Sequence, residues 1–222
     1  MGTHAAISEL SQGEAILESL RWRYAVKSYD GTRKVSEADF KILEDAVILA
    51  PSSFGIQPYK LFVIVDPAVR QALKPAAFNQ SAITEASHLI VFAYKRTLTD
   101  KDVDDFVGRI AEVRGQSRES LAGLETTVAG AVKKAVDGGY VETWNSRQAY
   151  IALGFLLETA ALLNIDATPM EGFDPDKVNE VLGLTEYSAV TIAAVGYRDA
   201  EKDWLAPLPK VRKPKSELIE RI

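Results

Sequence analysis

At 222 residues the chain is long enough to fold as one domain that buries roughly 70–75% of its extended surface without disulfide or metal staples. Hydrophobic residues make up 47% and charged residues 26%, too apolar for disorder, and a net charge of −5 gives no bulk attraction for nucleic acid or an anionic membrane. The absence of cysteine excludes disulfide scaffolds, thiolate nucleophiles, zinc fingers and iron–sulfur clusters, and fits a cytoplasmic protein.

In chain order, Ile7, Leu10, Ile16, Leu17 and Leu20 form the apolar face of a helix expected over residues 8–22. The start of the chain lacks a basic region followed by an apolar stretch, so no signal peptide is expected. A polar and aromatic loop follows over 21–31. A second helix begins at Ser36, where Ser36 and Asp39 have capping-box spacing, and it ends before Pro51. The loop over 51–58 carries two prolines and a glycine. Short β-branched runs at Leu61–Val65, Leu89–Tyr94 and Ala189–Tyr197 predict buried strands, with a helix near 68–76 and a polar turn at Asn79-Gln80.

Residues 100–139 are charged and glycine-containing, with no aromatic between Gly115 and Gly139. They predict helices near 101–114 and 117–136, loosely packed on the body as a lid-like excursion. Residues 144–164 predict a long helix, apolar nearly all round from Ala149 and therefore central in the core. Its most apolar run, Ala149 to Leu163, is broken by Glu158 and falls short of the roughly 18–20 residues a membrane span needs. Residues 165–173 predict a strand and turn, and Asp174-Pro175 opens another helix with an aspartate cap and proline at N1. The proline-rich, basic segment from Trp204 cannot build its own core and must lie on a surface, of this chain or of a partner. The order of elements gives an α+β or mixed α/β class in three layers.

With only His4 and His88, a multi-histidine metal site is impossible, and no metal is expected. His4 falls in a terminus expected to be disordered, and His88 reads as a boundary residue of the second strand. Glu142 and Glu158 read as solvated or helix-paired carboxylates. Nucleotide P-loop, dinucleotide and hydrolase-elbow signatures are absent. Chemistry must then come from carboxylates, amines, hydroxyls or a bound cofactor. Arg23 and Lys27 form one basic cluster, and Lys210 and Arg212 another. Each suits phosphate oxygens, although on composition alone a solvated surface is the commoner role for such charges. Pro169-x-Glu171-Gly172 closes an apolar strand with a glycine that permits close approach by a flat ligand, or simply makes a turn. Ser52 and Ser53 offer hydroxyls on a rigid loop, and Asn79 offers both a donor and an acceptor.

Five strings together resemble the FMN-dependent nitroreductase family: Arg23 to Asp30, Ala50 to Pro58, Asn79-Gln80, Pro169 to Asp174 and Leu208 to Arg212. The likeness is greatest to its oxygen-insensitive NAD(P)H nitroreductase and dihydropteridine reductase branch. The resemblance implies an α+β three-layer sandwich around a mixed sheet, formed by one domain over 1–222, with a lid-like excursion at about 100–139. It implies a homodimer with FMN at the interface and a tail, about 204–222, exchanged between subunits. Arg23, Lys210 and Arg212 would hold the flavin phosphate, with Tyr24 and Ala25 making backbone contacts. Lys27 would lie by the pyrimidine edge and tune the flavin electrostatically, and Asn79 would meet the ring edge. Pro51, Ser52 and Ser53 would reach in from the partner. Pro169, Glu171 and Gly172 would face flavin N5. Phe54 is a candidate for stacking on substrate, or a packing residue.

The resemblance further implies a ping-pong NAD(P)H oxidoreductase acting on flat small-molecule acceptors such as quinones and nitroaromatics, with no obligatory acid–base side chain. NADH or NADPH would be the donor, and neither nucleic acid nor membrane is an expected partner. The same scaffold also admits a dehalogenase or flavin-fragmenting enzyme, or a dimer that binds flavin without turnover. Two departures stand out. Tyr24, Ala25 and Val26 replace the small hydroxyl residues common between the two cations, and Ala82 stands where some relatives carry a second lysine. One cation fewer at the ring implies a less stabilised reduced flavin.

Overall fold

The computed structural model describes residues 11–222. Ile7, Leu10, His4 and the expected start of the first helix at residue 8 lie outside the described residues. Four strands form one sheet in the order β1-β2-β4-β3: β1 (Tyr59–Val63), β2 (His88–Lys95), β3 (Asp166–Met170) and β4 (Tyr187–Gly196). The expected mixed sheet is not what this chain builds, because all three pairings among the described residues are antiparallel. Helix length gives one reason. The eight-residue α8 (Pro175–Leu182) joins β3 to β4 and spans about 12 Å, too little to carry the chain back along a strand of about 33 Å. The chain therefore re-enters the sheet near the end at which it left.

The central strands are buried on both faces, which is why their sequences run apolar without alternation. Leu89, Val91, Ile192 and Ala194 point to one side, against α3 (Pro67–Ala76), α4 (Ala82–Glu85) and α8. Ile90, Phe92, Ala193 and Val195 point to the other, against α2 (Glu37–Ile48) and α7 (Val141–Leu162). The α+β class and the three layers hold. β1 begins two residues earlier than its β-branched run suggests. Tyr59 and Lys60 are drawn into the ladder by Tyr94 and Ala93, while Val65 is left exposed beside the Asp66 cap of α3.

Helix α1 (Gln12–Trp22) starts at a full capping box between Ser11 and Glu14, a local signal the apolar pattern overran. Within α7, Ala152 and Ala160 pack with the strand residues and bring the helix close to the sheet. Its other face is not central: Ile151 is 40% and Phe155 39% exposed in the single chain. Composition all round the helix did not distinguish a sheet-facing side from a side left for another surface.

Helices α5 (Asp100–Arg114) and α6 (Ala122–Asp137) form the excursion. It is not loosely packed. Phe106, Val107, Leu121, Val128 and Val132 bury one another in a separate apolar cluster that reaches Val141 at the start of α7. His88 stacks on Phe40 at 3.8 Å between ring centres, and burial holds its imidazole below the usual range. Glu142 accepts the Tyr94 hydroxyl proton across the fold rather than pairing along its own helix. No helix among the described residues is long and apolar enough to cross a membrane.

Two polar anchors tie the 21–31 loop to this frame. The Tyr29 hydroxyl, fully inside, donates to the Ala194 carbonyl (2.7 Å) and lies 2.8 Å from Thr168 Oγ1. Thr168 in turn donates to the Val26 carbonyl. Asp203, 2% exposed, accepts from the Lys27 N–H (2.7 Å), the Tyr24 hydroxyl (3.1 Å) and the Leu205 N–H (2.9 Å). It thereby joins the loop to the start of the tail, which continues to the short α9 (Lys215–Leu218).

Tyr29→Phe leaves a buried carbonyl without its donor and is expected to cost about 1–3 kcal/mol, read as a lower urea midpoint at unchanged slope. Asp203→Ala strands two backbone donors and is expected to lower Tm by about 5 °C. Asp203→Asn, which keeps an acceptor oxygen, should recover part of that loss in the same calorimetric scan.

Candidate functional site

The end of α1, the loop after it, the edge strand β3 and the tail enclose a cavity of about 500 Å³. Its lining includes Arg23, Tyr24, Ala25, Pro169, Lys210 and Arg212. Six residues picked out in three separate stretches of sequence therefore meet at one place. Arg21 and Arg198 also line it, and no acidic side chain does.

The charges there are poorly compensated. Arg21 pairs with Glu18 on its own helix. Arg198 pairs with the buried Asp166 behind the wall. Arg23, Lys210 and Arg212 have no carboxylate partner among the described residues. Burial, and then the Arg212 charge, pushes the Arg23 guanidinium below its ordinary value. Burial pushes the Lys210 amine down too, with Arg23 and Arg212 adding to the effect. The Lys210 ammonium donates to the Leu20 carbonyl at the C-terminal end of α1, where the helix dipole favours a cation. The Nε of Arg23 is buried and has no hydrogen-bond partner. A buried donor normally finds one, so this atom is held for something other than protein. A phosphate dianion fits: it supplies acceptors to the open guanidinium and offsets the excess charge.

Beyond Ala25 the loop continues along a rim. Lys27, with its side chain exposed, has its backbone fixed between Asp203 and the Ser81 hydroxyl, whose Oγ lies 3.5 Å from the Lys27 carbonyl. Phe78 and Asn79, just before it, both adopt positive φ (52° and 58°), a costly conformation for residues other than glycine. The Gln80 amide donates to the Gly172 carbonyl at 2.7 Å. A Cβ on Gly172 would meet that amide at 3.4 Å, about van der Waals contact. The Tyr150 hydroxyl donates to the Glu171 carboxylate, and burial, with the Glu171 charge adding, raises its pKa. Neither the Glu171 nor the Gly172 N–H donates to a protein acceptor among the described residues. Lys27, Asn79, Glu171 and Gly172 thus share one rim adjoining the cationic cavity.

The 51–55 loop does not join them in the single chain. The Ser53 N–H donates to Gln148 on α7, Ser52 Oγ accepts from the Gln57 N–H, and Phe54 meets Trp144 edge-on at 6.3 Å. Gln148 and Tyr150 are two residues apart, about 200° around the helix, so Pro51, Ser52, Ser53 and Phe54 lie across α7 from Glu171. Ala82 is buried in the core beneath α4, where a lysine side chain would have to leave the apolar cluster. A larger groove of about 830 Å³ runs between α2 and β1, but its rim mixes Glu37, Glu44 and Asp45 with Lys41, Lys60 and Arg109 and selects no charge.

Sequence reasoning missed Arg198, Asp166 and Asp203. The pairs Arg198–Asp166 and Asp203–Lys27 lie 32 and 176 residues apart, and no spacing rule exposes them. Aspartates in such apolar or aromatic company (Asp166 after Ile165, Asp203 before Trp204) are the only local hint.

Residues 20–197 match the model described as the nitroreductase family. The major NAD(P)H-flavin oxidoreductase of Aliivibrio fischeri is 34% identical over 211 residues, covering 92% of this chain and 97% of that protein. A Bacillus subtilis protein named as a nitroreductase superposes with a TM-score of 0.84 at 18% identity, covering 95% of this chain and all of the other. An Exiguobacterium sibiricum protein, solved in complex with FMN, gives 0.76 at 20% identity, covering 96% and 98%. The chain belongs to the nitroreductase family.

Proposed function

We propose that this chain is an NAD(P)H-dependent FMN oxidoreductase that works as a homodimer and reduces flat acceptors such as quinones and nitroaromatics. The observation that carries the reading is the buried, unpartnered Nε of Arg23 in a cavity whose cations outnumber their counterions. The Aliivibrio fischeri relative, named for NAD(P)H-flavin oxidoreduction, supports the same reading. When bound, FMN supplies the two-electron chemistry, and the protein supplies binding, orientation and field.

Arg23, Lys210 and Arg212 hold the phosphate, with the backbone of Tyr24 and Ala25 against it and Pro169 closing the wall. Lys27 places a positive charge where the reduced ring carries negative charge. Asn79 bonds the ring edge. The Glu171–Gly172 backbone keeps N–H groups free for the reactive side, held in place by Gln80 and Tyr150.

The exposed apolar face of α7 accounts for the dimer. Ile151, Phe155 and Leu162 are too many large apolar groups on one helix face to be left to water. Two chains packed through α7 bring Pro51, Ser52 and Ser53 of each to the flavin of the other, with Phe54 beside the acceptor. Residues 205–212 stay on this chain's own cavity, so only the tail beyond Arg212 crosses with them, where its exposed Leu218 and Ile219 find cover. The α5–α6 excursion overhangs that loop, with Phe106 against Gly55, and acts as the lid. A chain without cysteine suits the cytoplasm.

The purified protein is expected to show flavin absorption bands that bleach when NADH or NADPH is added without oxygen, and parallel double-reciprocal plots when donor and acceptor are varied together. Bands that persist with either nucleotide would leave a flavin-binding dimer without this turnover. A colourless protein that takes up no FMN would remove the cofactor assignment altogether. Lys27→Met should lower the flavin midpoint potential by roughly 20–60 mV, the two-electron equivalent of about 1–3 kcal/mol for one partly solvated cation. An unchanged potential in a redox titration would take Lys27 out of that role.

A further inference from the structure

We infer that Arg198 is a positioning residue: gripped between the Trp22 and Tyr24 rings and tied to Asp166, it fixes Arg23 for the flavin phosphate, so that the protein distinguishes FMN from riboflavin. This rests on the flavin reading above.

Arg198 follows β4, and Asp166 opens the neighbouring β3, so the sheet brings them together at one end. The Arg198 Nε lies 3.0 and 3.1 Å from the two carboxylate oxygens, Nη2 lies 2.5 Å from Oδ1, and the Arg198 backbone N–H donates to Oδ2 at 2.8 Å. The Asp166 side chain is 3% exposed, so this pair is fixed rather than fluctuating on a surface. The guanidinium carbon lies 4.2 Å from the centre of the Trp22 ring and 4.4 Å from that of Tyr24. One planar cation thus meets two aromatic rings, with a flat guanidinium face for stacking that a lysine ammonium lacks.

Trp22 and Tyr24 flank Arg23 in the chain. Trp22 ends α1, and Arg23 leaves the helix with extended backbone (φ −68°, ψ 140°) while its N–H still bonds the Ser19 carbonyl. With both neighbours held on the same guanidinium, the peptide units on either side of Arg23 are pinned. The Tyr24 hydroxyl is pinned again by Asp203. Arg23 therefore cannot swing to solvent by turning its backbone, although burial and the Arg212 charge both penalise it where it stands.

Arg198 does not compete for the phosphate. Two of its three nitrogens are spent on Asp166, and that carboxylate offsets its charge. What it contributes is the direction of its neighbour. The affected ligand group is the phosphate alone, because the rim that meets the ring is built from Lys27, Asn79 and Glu171–Gly172, held by other contacts.

The test is binding rather than turnover. The full-length protein, stripped of flavin, is titrated with FMN and with riboflavin, following quenching of flavin fluorescence. Arg198→Lys keeps a charge for Asp166 while losing the stack, and should weaken FMN about tenfold with riboflavin changed less than about twofold. Trp22→Leu removes one ring and leaves the ion pair, so it tests the same point if the lysine variant does not fold. It should shift the FMN-to-riboflavin ratio in the same direction. Equal losses for both ligands would make Arg198 merely structural and overturn the inference, as would a ratio equal to the parent protein's. Those results leave the flavin reading intact. A parent protein that binds neither ligand would overturn both.

Discussion

The site is governed by a charge imbalance that the fold creates and does not correct. Arg23, Lys210 and Arg212 converge on one cavity, while among the described residues the nearby buried carboxylates, Asp166 and Asp203, are already committed to Arg198 and to backbone donors. Like charges brought together in partly buried surroundings raise the free energy of the folded chain. The fold tolerates that cost because two of the cations are anchored for another reason. Lys210 caps the end of α1, and Arg23 is the residue at which that helix stops. A bound dianion would convert the penalty into attraction. The cofactor would then be a large part of the stability of this region, and the region would be organised before it arrives.

The rest of the fold can be read outward from that cavity. The antiparallel pairing of β3 with β4 sets Asp166 opposite Gly196, two residues before Arg198. A Cβ on Gly196 would sit 3.0 Å from both the Ser87 nitrogen and the Tyr29 ring. The close approach lets Tyr29 reach the Ala194 carbonyl, and Tyr29 in turn holds the loop that carries Arg23 and Lys27. The sheet thus does more than fill a core, because its end is the platform on which the cationic loop is mounted.

Much of this was legible in the sequence where the signal is local. Leu89–Tyr94 and Ala189–Tyr197 read as strands because a strand covered on both faces must be apolar at every position. Asp174-Pro175 read as a helix start because an aspartate cap and a proline at N1 satisfy the same unpaired donors. The site residues Arg23, Lys27, Asn79, Glu171, Gly172, Lys210 and Arg212 were legible only as a set of strings resembling a family, since each alone is an ordinary surface residue. What stayed hidden is long-range. Nothing near residue 198 says that its guanidinium will lie between residues 22 and 24, and nothing near Asp203 says that it will cap the N–H of Lys27. The direction of the sheet was hidden for a related reason: it depends on connection lengths and packing, and the strands themselves carry no mark of it.

α7 shows how one element serves two surfaces. Ala152 and Ala160 face the sheet, and large apolar residues stand on the opposite side. Gln148 holds the Ser53 loop and Tyr150 holds Glu171, on opposite sides of the same helix. A single chain therefore positions two halves of a binding site that it cannot bring together, since the width of a helix separates them. The proposed pairing through α7 would remove that separation, because the helix that divides the two segments within one chain would join them between two. The apolar face and the divided segments make the same demand, and the proposed pairing with a second copy of the chain would meet both.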